Sequence, residues 1–146
     1  MAIRPHHIGI CVTDLEASLR FWVDGMGFNT TMVTEVGSEW GRALEVAGEV
    51  QCTAHFLEKD GFEFELLHYQ SPGAFGEASG NRNQIGFTHL AVYVDDLDKE
   101  IEHLVSCGGT VLSDTRTKIG EGAYSMELVF LADPNGVRVE LMKAGQ

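Results

Sequence analysis

The chain is poor in cysteine, proline and basic residues, and it has no long apolar run. Three cysteines stand among 146 residues, at Cys11, Cys52 and Cys107, and no two form a CxxC pair. So sparse and odd a count excludes a disulfide scaffold and points to free thiols in a reducing compartment. Only ten Lys and Arg face 22 Asp and Glu, a formal net charge of −12. A surface this acidic repels phosphate backbones, which excludes nucleic acid as the expected partner. No uncharged apolar stretch approaches the ~20 residues that a membrane helix needs. The opening MAIRPHHIGI has no basic segment leading into an apolar one, so the reading implies a cytoplasmic protein without a signal peptide. What is plentiful is ordinary: 44% hydrophobic residues, enough for one globular core without a staple.

The chain repeats itself. HHIGICVTDLEASLRFWVDGMGF aligns with THLAVYVDDLDKEIEHLVSCGGT at an offset of 82, which sets His7 on His89, Val12 on Val94, Asp14 on Asp96, Leu15 on Leu97 and Gly27 on Gly109. Each copy reads as an apolar strand with a leading His, a V-x-D-L turn, an amphipathic helix and a Gly stop. Asp14 and Asp96 stand where a helix N-cap belongs. Three shorter strand patterns follow in each copy: NTTMVTEV, QCTAHFLEK and FEFELLHY, then TVLSDTRT, SMELVFLA and VRVELMK. KDG and DPNG supply hairpin turns between the last two strands of each set. The expected fold is α+β, a single domain over 1–146 of two tandem βαβββ modules forming a curved mixed sheet around a metal-containing cavity. Module one covers 1–70, a Gly- and Ser-rich linker 71–86, and module two 87–146. The segment SEWGRALEVAG inserts into module one as a short extra helix.

Side chains alternate across a strand with period two. In four strands one face is apolar, and the other carries a His or a carboxylate: His7, Glu65, His89 and Glu140. An isolated buried charge is costly, so two imidazoles and two carboxylates on inward faces would need one another or a shared cation. A mixed N/O set of this kind suits one divalent ion, Zn, Ni, Co, Mn or Fe. Cys11, Tyr69, Tyr93, Arg138 and Met142 share the ligand faces by parity and are candidates for contacting a small-molecule substrate. His55 lies in a strand and reads as a structural or rim residue. His6 has the wrong parity and reads as a strand-end residue, while His68 and His103 read as structural.

The motifs HHIGICVTDL, FEFELLHY, THLAVYVDDL and DPNGVRVEL resemble those of the vicinal oxygen chelate superfamily, which includes glyoxalase I, methylmalonyl-CoA epimerase, extradiol dioxygenases and fosfomycin-resistance enzymes. The resemblance covers nearly the whole chain. It implies His7, Glu65, His89 and Glu140 as the metal ligands and a homodimer as the assembly. A fourth protein ligand at Glu65 is similar to the lyase and epimerase branch. Phe130 stands where the dioxygenase signature tends to have Tyr. Cys11 and Tyr69 replace the Arg and Asn that bind glutathione in bacterial-type glyoxalase I. The implied function is a metal-dependent lyase or isomerase moving a proton next to a metal-bound carbonyl, with Glu140 as first candidate base and Glu65 as second. Two alternatives stand beside it: a ring-cleaving extradiol-type dioxygenase, and a non-catalytic small-molecule binding or resistance protein.

Overall fold

Hydrophobic alternation and capped helices recur twice, and the computed structural model, which describes residues 3–145, repeats one βαβββ pattern accordingly. Module one contains β1 (Ile8–Val12), α1 (Leu15–Leu19), β2 (Asn29–Gly37), β3 (Gln51–Lys59) and β4 (Phe62–Ser71). Module two contains β5 (Leu90–Tyr93), α2 (Leu97–Ser106), β6 (Thr110–Ile119), β7 (Met126–Ala132) and β8 (Arg138–Ala144). The strands form two four-stranded mixed sheets, ordered β1-β4-β3-β2 and β5-β8-β7-β6. In each, the first strand pairs parallel with the last, and the other pairs are antiparallel. The chain divides into two compact units between Gly76 and Glu77, inside the Gly- and Ser-rich segment. Among the described residues, no helix is long and apolar enough to cross a membrane.

The expected N-caps are present. Asp14 Oδ1 accepts from the Ala17 N–H at 3.0 Å, and Asp96 Oδ1 accepts from the Lys99 N–H at 3.2 Å. Each satisfies a backbone donor that the first helical turn leaves without a partner. Beyond α1 the two modules diverge. The chain runs from α1 into a wider π-helical turn over Arg20–Gly25, whereas α2 is α-helical throughout. A π turn accommodates one extra residue, so the 82-residue offset holds only up to the helix. After it, Asn29 opening β2 matches Thr110 opening β6 at an offset of 81. The left-handed helix-stop glycines are accordingly Gly27 (φ 73°) and Gly108 (φ 100°), not Gly27 and Gly109. The expected extra helix near SEWGRALEVAG is a single 3-10 turn over Ser38–Trp40 followed by further turns.

The hairpin turns follow from their sequence. Asp60 (φ 53°) and Gly61 (φ 80°) both take positive φ, as a tight two-residue turn with the strands' own twist demands. In DPNG, buried Asp133 accepts from the Asn135 and Val137 N–H groups at 2.8 Å each.

One face of each sheet packs against its helix. In module one this core is aromatic: Trp22 is fully buried and meets Phe28 and Phe64 edge-on at 6.0 and 4.9 Å. In module two it is aliphatic, with Leu97, Leu104, Val129, Leu131, Val139 and Leu141 buried. Leu66 and Leu141 are each 0% exposed on the last strand of their module. Leu66→Ala and Leu141→Ala should therefore each lower stability by about 2–5 kcal/mol in urea unfolding.

His55 lies opposite Val33 and Leu66, which assigns it to the helix-facing side of β3, away from Glu65. Its Nδ1 is buried without a hydrogen-bond partner. Burial lowers its pKa below 6.5, and Glu35 partly offsets this. The unfolded chain thus takes up the proton first as pH falls, so this contribution to stability is complete above pH 6.5 and fades below it. His55→Leu should narrow the difference in urea midpoint between pH 7.5 and pH 5.

Candidate functional site

Two matching constellations lie on the faces opposite the helices. In module one, β4 presents Glu65 between Gly9 of β1 and Phe56 of β3. His7 precedes β1, and its Nε2 lies 3.3 Å from Glu65 Oε1. In module two, β8 presents Glu140 between Ala91 of β5 and Phe130 of β7. His89 precedes β5, and its Nε2 lies 3.2 Å from Glu140 Oε2. The surroundings agree as closely as the distances. Both His side chains are 33% exposed, and the two carboxylates are 16% and 15% exposed. A phenylalanine meets each imidazole edge-on: Phe56 on His7 at 5.1 Å and Phe130 on His89 at 5.3 Å, both with ring planes 86° apart.

This geometry arises locally. Parallel pairing of the first and last strands sets the residue after the leading Ile or Leu beside the carboxylate: Gly9 beside Glu65, Ala91 beside Glu140. The imidazole, two residues earlier on the same face, leans over that carboxylate. The position beside Glu65 has room for a methyl group in ordinary van der Waals contact, as Ala91 has beside Glu140. A Cβ on Gly9 would lie 3.4 Å from Glu65 Oε1.

The chemistry of the pairs suits a cation. Each offers one imidazole nitrogen and one mostly buried carboxylate oxygen, a hard-to-borderline donor set that first-row divalent ions accept. Each pair alone supplies two protein ligands, short of the three or four of a metal site.

The structure brings several other expected residues together. Tyr69, Cys11 and Glu65 share the ligand face of module one, with Cys52 beside them. Burial, then Cys52, Cys11 and Glu65, push the Tyr69 phenol up. Burial also raises the Cys11 thiol. Burial, then Cys11, Glu65 and Glu35, push the Cys52 thiol up to about 11, against a lowering hydrogen bond from the His68 backbone. All three groups are neutral at physiological pH, so neither thiol is primed as a nucleophile. In module two, Met142 lies opposite Tyr93 and Leu128 on the Glu140 face, with Tyr93 largely exposed. Arg138 Nη1 donates to the Gly136 carbonyl at 2.7 Å.

Sequence reasoning missed Cys52, Phe56, Thr88 and Arg82, and read Phe130 only as a missing Tyr. Cys52 and Phe56 share the parity of the ligand face, a signal present but unused. Arg82, from the linker, donates to the Thr88 and Ser79 carbonyls and so ties the linker to the start of β5. His6 is a strand-end residue as expected, but its ring reaches the site. Its Nδ1 lies 2.6 Å from His7 Nδ1 and 3.4 Å from Glu63 Oε1. Ligand atoms of His6, His7 and Glu63 all lie within 4.8 Å of one another.

Known proteins share this arrangement of strands. A glyoxalase family protein from Bacillus cereus superposes with a TM-score of 0.83 at 18% identity, over 100% of this chain and 97% of its own. Glyoxalase I from Zea mays gives a TM-score of 0.66 at 22% identity, over 96% of this chain and 44% of its own. In sequence, the uncharacterised protein YqjT of Bacillus subtilis is 30% identical over 94% of this chain and 96% of its own. A 2-epi-5-epi-valiolone epimerase from Actinomyces sp is 27% identical over 97% of this chain and 79% of its own. The family model described as Glyoxalase/Bleomycin resistance protein/Dioxygenase superfamily matches residues 4–141, and the chain belongs to that superfamily.

Proposed function

We propose that the protein is a divalent-metal-dependent lyase or isomerase in which His7, Glu65, His89 and Glu140 together hold one ion. The observation that carries this reading is the repetition itself. Each module independently aims an imidazole Nε2 at a mostly buried carboxylate oxygen, at 3.3 and 3.2 Å. Conformity so close, between modules that differ in core composition, is expected of positions constrained by one shared ligand. Two half-sites supply four protein ligands and leave positions free on an ion that accepts six.

A divalent ion held by His7, Glu65, His89 and Glu140 would supply Lewis-acid polarisation of a substrate carbonyl, worth several kcal/mol. The chain's own part is proton transfer. Glu140, and second to it Glu65, removes the proton next to the carbonyl and returns it to the same or a neighbouring carbon. The Phe56 and Phe130 rings narrow water's approach to the imidazoles and keep each facing its carboxylate. Tyr69, Cys11 and Met142 offer neutral contacts to the substrate, Tyr93 an aromatic rim, and Arg138 a cationic group on the Glu140 face. The epimerase among the relatives supports this reading, because inverting a carbon next to a carbonyl calls for the same removal and return of a proton. Phe130 weighs against ring-cleaving oxygen chemistry, and the presence of all four donors weighs against a binding protein that works without metal. The working form is a homodimer acting on a small molecule in the cytoplasm.

Elemental analysis of the purified protein should find one equivalent of Zn, Ni, Co, Mn or Fe per chain, lost in Glu65→Gln and in Glu140→Gln. Solvent exchange of the proton next to the carbonyl, followed by NMR in D₂O across 2-oxo and hydroxycarbonyl compounds, should stop on chelation. Wherever Glu140→Gln is reloaded with metal, exchange should be slower by ~10²–10⁴. Absence of exchange from the whole panel would count against the proton-transfer reading.

A further inference from the structure

An imidazole that ligates through Nε2 must carry its proton on Nδ1, and that N–H needs an acceptor to hold the ring in place. Both half-sites have an atom able to accept it, and in both that atom is on the preceding residue. Thr88 Oγ1 lies 2.8 Å from His89 Nδ1. His6 Nδ1 lies 2.6 Å from His7 Nδ1. In a regular strand, neighbouring side chains point to opposite faces and could not meet this way. His6–His7 and Thr88–His89 both stand just ahead of their strands, which begin at Ile8 and Leu90. The alternation therefore does not bind them, and the preceding side chain can fold back onto the ring.

We infer that His6 and Thr88 are positioning residues, each accepting the Nδ1 proton of the histidine that follows it and so directing that histidine's Nε2 toward the ion. The inference rests on the four-ligand reading above. The two modules solve one problem with different chemistry. Thr88 is a short hydroxyl on a backbone whose own carbonyl is held by Arg82. His6 is largely exposed, and Glu63 Oε1, 3.4 Å from the same Nδ1, gives it no hydrogen bond, because a nitrogen that accepts from His7 has no proton to donate. The module-one clamp has a solvent-facing member with more freedom, and the module-two clamp is anchored at both ends.

The test is metal affinity, read by titrating the metal-stripped full chain with Co²⁺ and following its visible absorption, beside urea unfolding of the stripped proteins. His6→Leu and Thr88→Val remove the acceptor while keeping bulk. Each should weaken Co²⁺ binding by ~10–100-fold, the usual effect of losing such an outer partner, with little change in the unfolding midpoint. His6→Asn and Thr88→Ser restore an acceptor and should recover affinity to within a few-fold of the parent. Parental affinity in both His6→Leu and Thr88→Val would overturn the inference and leave the four-ligand reading intact. A second Co²⁺ equivalent, present in the parent and lost in His6→Leu, would overturn it by making His6 a ligand with His7 and Glu63. A parent chain that binds no Co²⁺ would overturn both.

Discussion

The parallel pairing of each module's first and last strands is the constraint on which the rest depends. It forces the chain to cross over through a helix and return as a hairpin, and it brings a residue from the beginning of the module beside one near its end. Glu65 registers with Gly9 and Glu140 with Ala91, so an imidazole two positions upstream overhangs the carboxylate in both halves. A slip of one residue would turn each carboxylate toward the aromatic or aliphatic core, where nothing is available to compensate its charge. The apolar alternation that fixes the register for packing thereby also fixes the spacing of the donors.

Much of this arrangement was legible in the residues. Period-two alternation identified the strands and the side of the sheet on which His7, Glu65, His89 and Glu140 stand. The two Asp caps and the turns KDG and DPNG marked where elements begin and reverse. Other features depend on facts that a one-dimensional pattern does not hold. Phe56 and Phe130 matter because antiparallel pairing sets each opposite a carboxylate, and pairing partners are distant in sequence. His6 was set aside on parity, a rule that lapses at the two residues preceding a strand, and Thr88 stands at the same place in module two. Arg82 reaches Thr88 from within a linker whose composition suggests no structure.

The two halves also show how much may differ while the donors stay fixed. Module one packs Trp22 among Phe28 and Phe64, and module two packs Leu97, Leu104, Leu131 and Leu141. Module one surrounds its carboxylate with two thiols and a phenol, all kept protonated. Module two offers Met142 and Arg138 instead. Neutral thiols and a phenol beside one carboxylate, and a guanidinium and a thioether beside the other, are an asymmetry that a duplicated fold gains without altering its strands.

The widened turn at Arg20–Gly25 has a consequence of its own. A residue added inside a strand would invert every side chain beyond it, and one added within a tight two-residue turn such as Asp60–Gly61 would alter the strand register. Placed instead in the helical crossover, the surplus is taken up by a looser coil, and β2 resumes in step with its counterpart β6. The helix is thus, like the connection between β2 and β3, a part of the module where length can drift while the donor positions keep their alignment.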